Sequence, residues 1–355
     1  MRHIPERAAV LQALSSVIDP DLGQDIVTLG MVQSVGLAPG NVRFTLVLTT
    51  PACPLQEVLK AACITAIQKH IDPGCAVDIQ TTAQVTTQRQ NEPLLPEVKN
   101  VIAIASGKGG VGKSTVAVNM ALVLAQHGAR VGLLDADIYG PSIPTMLGCT
   151  EKPHVMQEGD KKYLIPLEKY GIKMLSMGLL MPAEDAVVWR GPMASTALRQ
   201  FLRDTAWYAL DYLLIDLPPG TGDIHLTLVQ AIPLTGAVIV TTPQQVALAD
   251  ARKSIAMLQK PTIQVPVLGV VENMAYFALP GGSQERYYLF GQGGGAWLAK
   301  HYQLPLLGQI PLLEDIRSGG DAGTPAVLAS GAASAIFNPI VMSVAQQVAI
   351  RNALR

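Results

Sequence analysis

The stretch that most restricts the fold of this chain is a glycine-rich turn between an apolar β-branched run and an apolar helical run. Residues 107–115 read GKGGVGKST, directly after the apolar run 101–105, and satisfy the pattern G-x-x-x-x-G-K-[ST]. Glycines allow backbone N–H groups to turn inward onto phosphate, and the N-terminus of the following helix adds its dipole. The turn therefore predicts a phosphate-binding loop between a strand and a helix.

Short apolar runs alternate with helical runs from residue 100 onward. The predicted strands cover 101–105, 131–134, 212–215, 238–241, 267–271 and 306–310. The predicted helices cover roughly 113–127, 193–204, 245–259, 293–302 and 339–353. Uninterrupted apolar runs are typical of strands that are buried on both faces of a parallel sheet. The alternation predicts an α/β domain with a doubly wound, mainly parallel sheet.

The first 86 residues have a different pattern, typical of a small α+β domain. A helix is predicted over roughly 5–18, strands over 26–35 and 42–49 with a hairpin turn between them, a second helix after Pro54 and a last strand over 77–85. Residues 87–98 are polar, contain two prolines and show no period, which is typical of a linker. We therefore predict a small domain over 1–86, a linker over 87–98 and an α/β domain over 99–355.

Composition excludes several classes of protein. The 26 Lys and Arg against 27 Asp and Glu give a net charge of −1, which argues against binding to nucleic acid or to an anionic membrane. No run of 18 consecutive apolar residues and no secretory signal pattern occurs. The four cysteines form no CxxC pair, so they are interpreted as reduced thiols. We expect a cytoplasmic protein.

Acidic residues end two of the predicted strands. Asp135 and Asp137 follow the run 131–134, and Asp216 follows the run 212–215. Because ligands bind at the carboxyl ends of strands in open α/β sheets, these carboxylates are expected beside the phosphate loop.

The loop and the aspartates together predict a site for a magnesium nucleotide. Lys113 is expected to reach the β- and γ-phosphates. The predicted Mg²⁺ ligands are Ser114, Asp135 and Asp216. Gly220 is placed to present a backbone N–H to a γ-phosphate and to move when that phosphate leaves.

A second interpretation of the loop stays open. Gly107, Gly109 and Gly112 also satisfy G-x-G-x-x-G, with Asp135 about 20 residues further on, which is the fingerprint of a dinucleotide-binding oxidoreductase. Lys113 and Ser114 favour the magnesium nucleotide, since a pyrophosphate held by backbone groups alone does not require them.

With Lys108 in the loop, Asp-x-Asp after one strand and Asp-x-Pro-Pro-Gly after another, the chain resembles the deviant-Walker-A ATPases related to MinD, ParA and the nitrogenase iron protein. Longer runs are similar to the Mrp/ApbC branch, whose members are iron–sulfur cluster carrier ATPases: 135–144 (DADIYGPSIP), 189–193 (WRGPM), 211–228 (DYLLIDLPPGTGDIHLTL), 241–253 (TTPQQVALADARK), 270–277 (VVENMAYF) and 319–325 (GGDAGTP). Residues 5–86, with Asp19-Pro20 and the run 50–54 (TPACP), resemble the small iron–sulfur assembly domain that is often fused in front of this ATPase.

The resemblance implies specific roles. It implies an Mg-dependent ATPase that acts as a homodimer and delivers clusters to apoprotein clients. Lys108 would reach across the dimer to the partner's nucleotide, Asp137 would orient the attacking water, and Asn273 would read the adenine edge. The catalytic residues would be Lys108, Lys113 and Asp137. The residues implied to contact ATP are Gly107, Lys108, Gly109, Gly110, Val111, Gly112, Lys113, Ser114, Thr115, Gly220 and Asn273.

The chain departs from the family at the usual cluster ligands. Relatives commonly carry Cys-Pro-x-Cys after the run 272–277, whereas Leu279 and Gly282 occupy the cysteine places here. Cys53, before Pro54 at a predicted helix start, is the candidate cluster ligand, because a helix dipole lowers the pKa of a thiol. Cys63 is expected in a core, and Cys75, in a turn, is expected to be exposed.

A different class of function also remains open, that of a MinD- or ParA-like positioning ATPase without a cluster. Such a protein needs a basic amphipathic tail or a basic face. The predicted C-terminal helix, over 340–354, is mostly Val, Ala and Gln, with Arg351 close to its end. This composition favours a helix that packs on a core.

Overall fold

A computed structural model of the chain describes residues 4–89, 94–137, 140–159, 161–180, 191–278, 285–329 and 331–354. The chain divides into a first unit of residues 1–86 with 345–355 and a second unit of residues 87–344. Residues 345–355, which the sequence assigned to the ATPase domain, therefore group with the first unit. Gln346 donates to Asp21 (2.7 Å) and Asn352 donates to the carbonyl of Thr86 (2.9 Å). Such long-range contacts leave no periodic pattern in the sequence.

The first unit is built on a three-stranded sheet. Its elements are α1 (Arg7–Leu14), β1 (Val32–Ala38), β2 (Asn41–Leu48), α2 (Gln56–His70) and β3 (Ala76–Ala83). β1 and β2 pair antiparallel, and β3 lies parallel to β2 on its other side. The strand predicted over 26–35 begins only at residue 32, because residues 26–30 form turns.

One face of β2 and one face of α2 share a core. Phe44 and Leu46, two residues apart on β2, are buried in one cluster with Leu59, Cys63 and Ile67 of α2. The spacing of two on the strand and four on the helix places each set on one face. Cys63 is therefore in the core, as predicted from the sequence.

The second unit alternates strands and helices over most of its length. Its strands are β4 (Val98–Ala105), β5 (Val131–Asp135), β6 (His154–Glu158), β7 (Lys161–Ile165), β8 (Leu167–Lys169), β9 (Ile172–Ser176), β10 (Leu210–Asp216), β11 (Gly236–Thr241), β12 (Val267–Ala278), β13 (Arg286–Tyr287) and β14 (Leu306–Leu312). Its helices are α3 (Lys113–Gln126), α4 (Ile143–Leu147), α5 (Met177–Leu180), α6 (Gly191–Asp204), α7 (Asp223–Ala231), α8 (Gln245–Leu258), α9 (Gly294–His301), α10 (Glu314–Asp321), α11 (Ala326–Ala329) and α12 (Gly331–Ala353), whose last residues group with the first unit.

Nine of these strands form one sheet in the order β13-β12-β11-β4-β10-β5-β9-β8, with β14 beside β12. The pairs are parallel except at β8 and β13. Every residue of β5, β10 and β11 is buried, as expected for strands covered on both faces. The mainly parallel α/β fold predicted from the sequence is confirmed. Because β4, β10 and β5 are neighbours, their carboxyl ends bring the phosphate loop and two aspartates together.

Among the described residues, one helix, α12, is long and apolar enough to cross a membrane by length and composition alone. Phe337, Val341 and Val344 of this helix are fully buried. Burial of its large apolar side chains is typical of a core helix.

Candidate functional site

The loop between β4 and α3 depends on two glycines in the left-handed region. Gly110 has φ 79° and Gly112 has φ 81°, values that residues with a side chain rarely adopt. A Cβ on Gly112 would also lie 2.1 Å from Nδ2 of Asn273. α3 begins directly afterwards at Lys113. The loop therefore leads into a helix N-terminus, where unpaired N–H groups and the helix dipole favour an anion.

Lys113, Ser114 and Asp216 form one hydrogen-bonded cluster beneath this loop. The Nζ atom of Lys113 lies 2.7 Å from Oδ1 of Asp216, and the two side chains are only 6% and 0% exposed. Oγ of Ser114 donates to Oδ2 of Asp216 (2.6 Å). Both oxygens of the buried carboxylate are therefore bonded to the residues that the motif assigns to phosphate and to metal.

Asp135 lies on the next strand, directly opposite Asp216 in the register of β5 and β10. It accepts hydrogen bonds from the backbone N–H groups of Asp137 (3.1 Å) and Ile143 (3.3 Å) and from Oγ of Ser176 (3.1 Å). Burial, together with the charge of Asp216, raises the pKa of Asp135 to about 7. Two adjacent buried carboxylates repel each other, so a cation between them would be favourable.

The donor atoms of this cluster suit Mg²⁺. Mg²⁺ prefers oxygen ligands and is usually bound by one or two carboxylates with water and phosphate oxygens. Ser114 supplies a hydroxyl and Asp216 supplies a carboxylate. Asp135 adds a second carboxylate. Three hydrogen bonds occupy three of its roughly four lone-pair positions, which leaves about one position for a metal ion. In the described part of the chain, no three His, Cys, Asp or Glu side chains converge as a metal site. The residues therefore fit a magnesium ion that is shared with a nucleotide, rather than a site made of protein side chains alone.

Comparison with known proteins agrees with this geometry. The family model described as "NUBPL iron-transfer P-loop NTPase" matches residues 97–349, which is more than half of the chain. The chain belongs to the iron-transfer P-loop NTPase family. A second model, "Iron-sulfur cluster assembly protein", matches residues 7–79 of the first unit.

Two relatives match at least 90% of this chain, and one solved structure matches about two thirds of it. The "Iron-sulfur cluster carrier protein" of Synechocystis is 51% identical and covers 90% of this chain and 91% of its own. The protein of the same name from Deinococcus radiodurans is 48% identical, covering 97% and 96%. A solved nucleotide-binding protein from Archaeoglobus fulgidus, in complex with ADP, is 42% identical with a TM-score of 0.57, covering 65% of this chain and 89% of its own.

Lys108, Asp137 and Gly220 are three further residues that the sequence assigns to the nucleotide site. Lys108 is half-buried, and its side chain forms no ion pair with a residue that the structure describes. Asp137 is buried and its carboxylate accepts the N–H of Gly140 (3.3 Å). The N–H of Gly220, predicted to face a γ-phosphate, instead donates to the carbonyl of Ser106 (3.0 Å). In this conformation the loop after β10 is therefore tied to the phosphate loop.

Asn273 of β12 contacts the phosphate loop directly. Its Nδ2 donates to the carbonyl of Val111 (2.9 Å), and the residue is 7% exposed. The amide that the family resemblance assigns to the adenine edge thus braces the loop here. A neighbouring cavity of about 440 Å³ is lined by Gly112, Thr115, Asn273, Met274 and Pro311 among others, which is large enough for part of a small ligand.

The prediction that the Cys53 thiol is activated is wrong in its direction. Hydrogen bonds from the backbone at Leu55 and Gln56 lower the pKa of Cys53, as expected at a helix start. Burial is the larger effect and raises the pKa, and the carboxylates of Asp19 and Asp21 add to it. The pKa of the Cys53 thiol is therefore raised, and not lowered, relative to that of a free cysteine.

The other cysteines also differ in accessibility. Cys75, expected to be exposed in its turn, is only 3% exposed, because it packs into the core of the first unit. Cys149 is half-buried, and burial raises its pKa. Leu279 and Gly282, which occupy the places of the family's cysteine pair, lie outside the described residues.

Sequence reasoning missed Ser176 and His225. Ser176 ends β9, which the sequence did not predict because its run contains Lys173 and only one β-branched residue. His225 lies in the first turn of α7, is 2% exposed, and its Nδ1 contacts the carbonyl of Pro218 (3.0 Å). A histidine within an apolar helical run is the one signal that the sequence offered for it.

Proposed function

We propose that this protein is an ATP-dependent carrier of iron–sulfur clusters, which binds and hydrolyses Mg-ATP and passes clusters to apoprotein clients in the cytoplasm. The observation that carries the proposal is that relatives named as cluster carriers match both units, at about half of all positions. The side chains of Lys113, Ser114 and Asp216 supply the chemistry that a nucleotide-driven carrier requires.

Each side chain of the nucleotide site has a proposed role. Mg²⁺, when bound, would neutralise phosphate charge. Ser114 and Asp216 would hold it, with Asp135 supporting from β5. Lys113, which now pairs with Asp216, would be shared with the β- and γ-phosphates. Asp137, anchored by the N–H of Gly140, would orient the attacking water.

The active form is proposed to be a homodimer. Phosphoryl transfer requires positive charge where the transition state develops negative charge. In the described part of the chain, Lys113 already pairs with Asp216, whereas Lys108 at the other arm of the loop has no ion-pair partner. We assign Lys108 to the nucleotide of the second copy.

The iron–sulfur cluster is the cargo of the proposed carrier. Cys53 is the proposed ligand of this iron–sulfur cluster in the first unit. A thiol must lose its proton to bind iron, so metal binding releases a proton and weakens as the pH falls. The raised pKa of Cys53 predicts loose, exchangeable attachment, which suits a protein that hands its cargo on.

Cluster transfer tests the proposal directly. The protein is reconstituted anaerobically with iron and sulfide, and an apo-ferredoxin receives the cluster with or without Mg-ATP. We expect cluster transfer to depend on nucleotide in the native protein and to lose this dependence in Lys113→Ala. Lys162→Ala is the control and should behave as the native protein, because Lys162 is exposed and distant in sequence from the loop.

The cysteine variants test the proposed ligand. Cys53→Ser should lose the bound iron, while Cys149→Ser should keep it. Absence of iron in the reconstituted native protein would overturn the carrier function, and ATP turnover retained by Lys113→Ala would overturn the site.

A further inference from the structure

The segment between Asp216 and Gly220 is held at three points. The N–H of Leu217 donates to the carbonyl of Ile104 (3.1 Å), and that of Gly220 donates to the carbonyl of Ser106 (3.0 Å). Both bonds tie the segment to β4 and the phosphate loop. Pro218 and Pro219 have no N–H, so between these two bonds the backbone can be held only through a carbonyl. The third point is the carbonyl of Pro218, which faces Nδ1 of His225 at 3.0 Å.

The geometry determines the tautomer of His225. A carbonyl oxygen only accepts, so Nδ1 carries the proton, and in the neutral ring Nε2 is then an acceptor. Nε2 is buried and has no hydrogen-bond partner in the part of the chain that the structure describes. Burial, aided by the charge of Lys113, lowers the pKa of His225 to about 4. The ring is therefore neutral at physiological pH.

Packing alone is a poor explanation for this histidine. A leucine would fill a similar volume on α7 without placing an unpartnered nitrogen in the interior, which is unfavourable. What histidine adds is one N–H, and that N–H reaches the segment that connects the proposed Mg²⁺ ligand Asp216 with Gly220 beside the phosphate loop.

We propose that His225 is a positioning residue for nucleotide turnover: its neutral imidazole holds the carbonyl of Pro218 and thereby fixes the path of residues 216–220 beside the bound phosphates. This inference rests on the proposed ATPase function. His225 does not touch the nucleotide; it acts through the backbone of Pro218.

Three variants separate positioning from packing. His225→Leu removes the N–H and keeps the bulk, whereas His225→Asn keeps a donor near the place of Nδ1. Val229→Ala, also buried on α7, loosens the same helix without touching Pro218. We expect kcat for ATP to fall about tenfold in His225→Leu while the affinity for Mg-ADP changes less than about twofold. His225→Asn and Val229→Ala should keep kcat within about threefold of the native value.

Nitrogen NMR of the imidazole gives a readout independent of rate. With ¹⁵N-labelled histidine, and with His225→Asn assigning the signal among the six histidines, we expect the Nδ1–H tautomer at pH 7. The Nδ1 chemical shift should differ between Mg-ADP and a non-hydrolysable Mg-ATP analogue, because Gly220, at the end of the segment that His225 holds, is predicted to contact the γ-phosphate. A signal identical in both states, an Nε2–H tautomer, or native kcat in a folded His225→Leu would each overturn the role of His225. If His225→Leu does not fold, His225→Asn gives the test, because it keeps a hydrogen-bond donor. A tenfold loss of kcat in folded His225→Asn would also overturn the role of His225.

Failure of the proposed function has a different signature. A native protein that binds Mg-ADP but shows no turnover above the Lys113→Ala background would not be an ATPase, and the role of His225 in turnover would fall with it. A native protein that turns over ATP and is indifferent to the substitutions at position 225 would refute the inference about His225 alone.

Discussion

A buried ion pair lies at the centre of the candidate nucleotide site. Lys113 and Asp216 are almost completely buried and lie 2.7 Å apart. Removing one member of a buried ion pair leaves an uncompensated charge, whereas neutralising both is much less costly. Asp216 keeps a second partner in the hydroxyl of Ser114. Stability and turnover can therefore be separated by changing the pair one residue at a time.

We expect Lys113→Met to lower the free energy of unfolding by about 3 kcal/mol and to abolish ATP turnover, because Asp216 loses its ion-pair partner. The double variant Lys113→Met/Asp216→Asn should recover most of that stability and none of the turnover. Urea unfolding and a phosphate-release assay measure the two quantities. A double variant no more stable than Lys113→Met would contradict the account of the buried pair.

His225 predicts a pH-dependent contribution to stability. Its pKa is about 4 in the folded protein against an ordinary value of 6.5 for histidine, so between pH 6.5 and 4 the unfolded chain binds a proton that the folded chain does not. The native protein should therefore lose stability relative to His225→Leu as the pH falls from 6.5 to 4, by up to about 3 kcal/mol. Above pH 6.5 the difference between the two proteins should be constant. Thermal melts of the native protein and of His225→Leu at pH 7 and pH 5 measure this difference in stability. An equal change in melting temperature in both proteins between the two pH values would show that His225 is solvated.

At the scale of elements, the phosphate loop is positioned by close contact with neighbouring backbone. A Cβ on Gly107 would lie 2.1 Å from the backbone carbon of Asp250 in α8, closer than any real contact. On Gly109, the nearest atom would be Cγ of Pro219 at 3.9 Å, an ordinary contact. The two glycines therefore have different reasons for lacking a side chain, although they lie two residues apart.

Gly107→Ala is expected to destabilise the second unit by about 3 kcal/mol, since backbone of α8 must move to admit the methyl group. Gly109→Ala is the matched control and should change stability by less than about 0.5 kcal/mol. Differential scanning calorimetry of both variants provides the comparison. Equal melting temperatures would mean that the loop can withdraw from α8 without cost.

At the scale of the whole molecule, the first unit is not continuous in sequence. It combines residues 1–86 with the last residues of the chain. Gln346 and Asn352 each make a hydrogen bond to a residue of the N-terminal segment. By its contacts, the end of α12 thus groups with the first unit.

Truncation after Val344 should therefore loosen the N-terminal unit, since both hydrogen bonds and the cover that this end of α12 provides are lost. We expect faster hydrogen exchange around residues 19–31 and 84–86, measured by mass spectrometry. Truncation after Asn352 keeps both bonds and should leave exchange unchanged. Equal exchange in the two truncated proteins would show that residues 345–352 do not support this unit.

The proposed dimer predicts that turnover depends on protein concentration. Specific ATPase activity should rise with concentration in the native protein, because in the proposed dimer Lys108 would act on the nucleotide of the second copy. Lys108→Ala should bind Mg-ADP normally and lose about 10³-fold in kcat, the lower end of the range typical of an arginine finger, whereas Lys162→Ala should behave as the native protein. A strictly monomeric sample with constant specific activity would exclude the proposed dimer.

Local sequence was sufficient for the α/β fold and for the prediction that the phosphate loop lies beside Asp135 and Asp216. The loop 107–115 requires glycines and a lysine at set places, and the runs 131–134 and 212–215, which lead to Asp135 and Asp216, are apolar. Steric limits on backbone and the period of buried residues act over a few residues, so they can be read in a linear sequence.

Only the tertiary structure decided what depends on burial and on distant contacts. It revealed Ser176 on an unpredicted strand, it paired Asn273 with Val111, and it placed residues 345–355 in the first unit. It also reversed the expected shift at Cys53, where the local helix-start effect is present but desolvation by the surrounding fold is larger. Desolvation and the charges of neighbours such as Asp19 depend on the three-dimensional surroundings of a group, which a linear pattern does not contain.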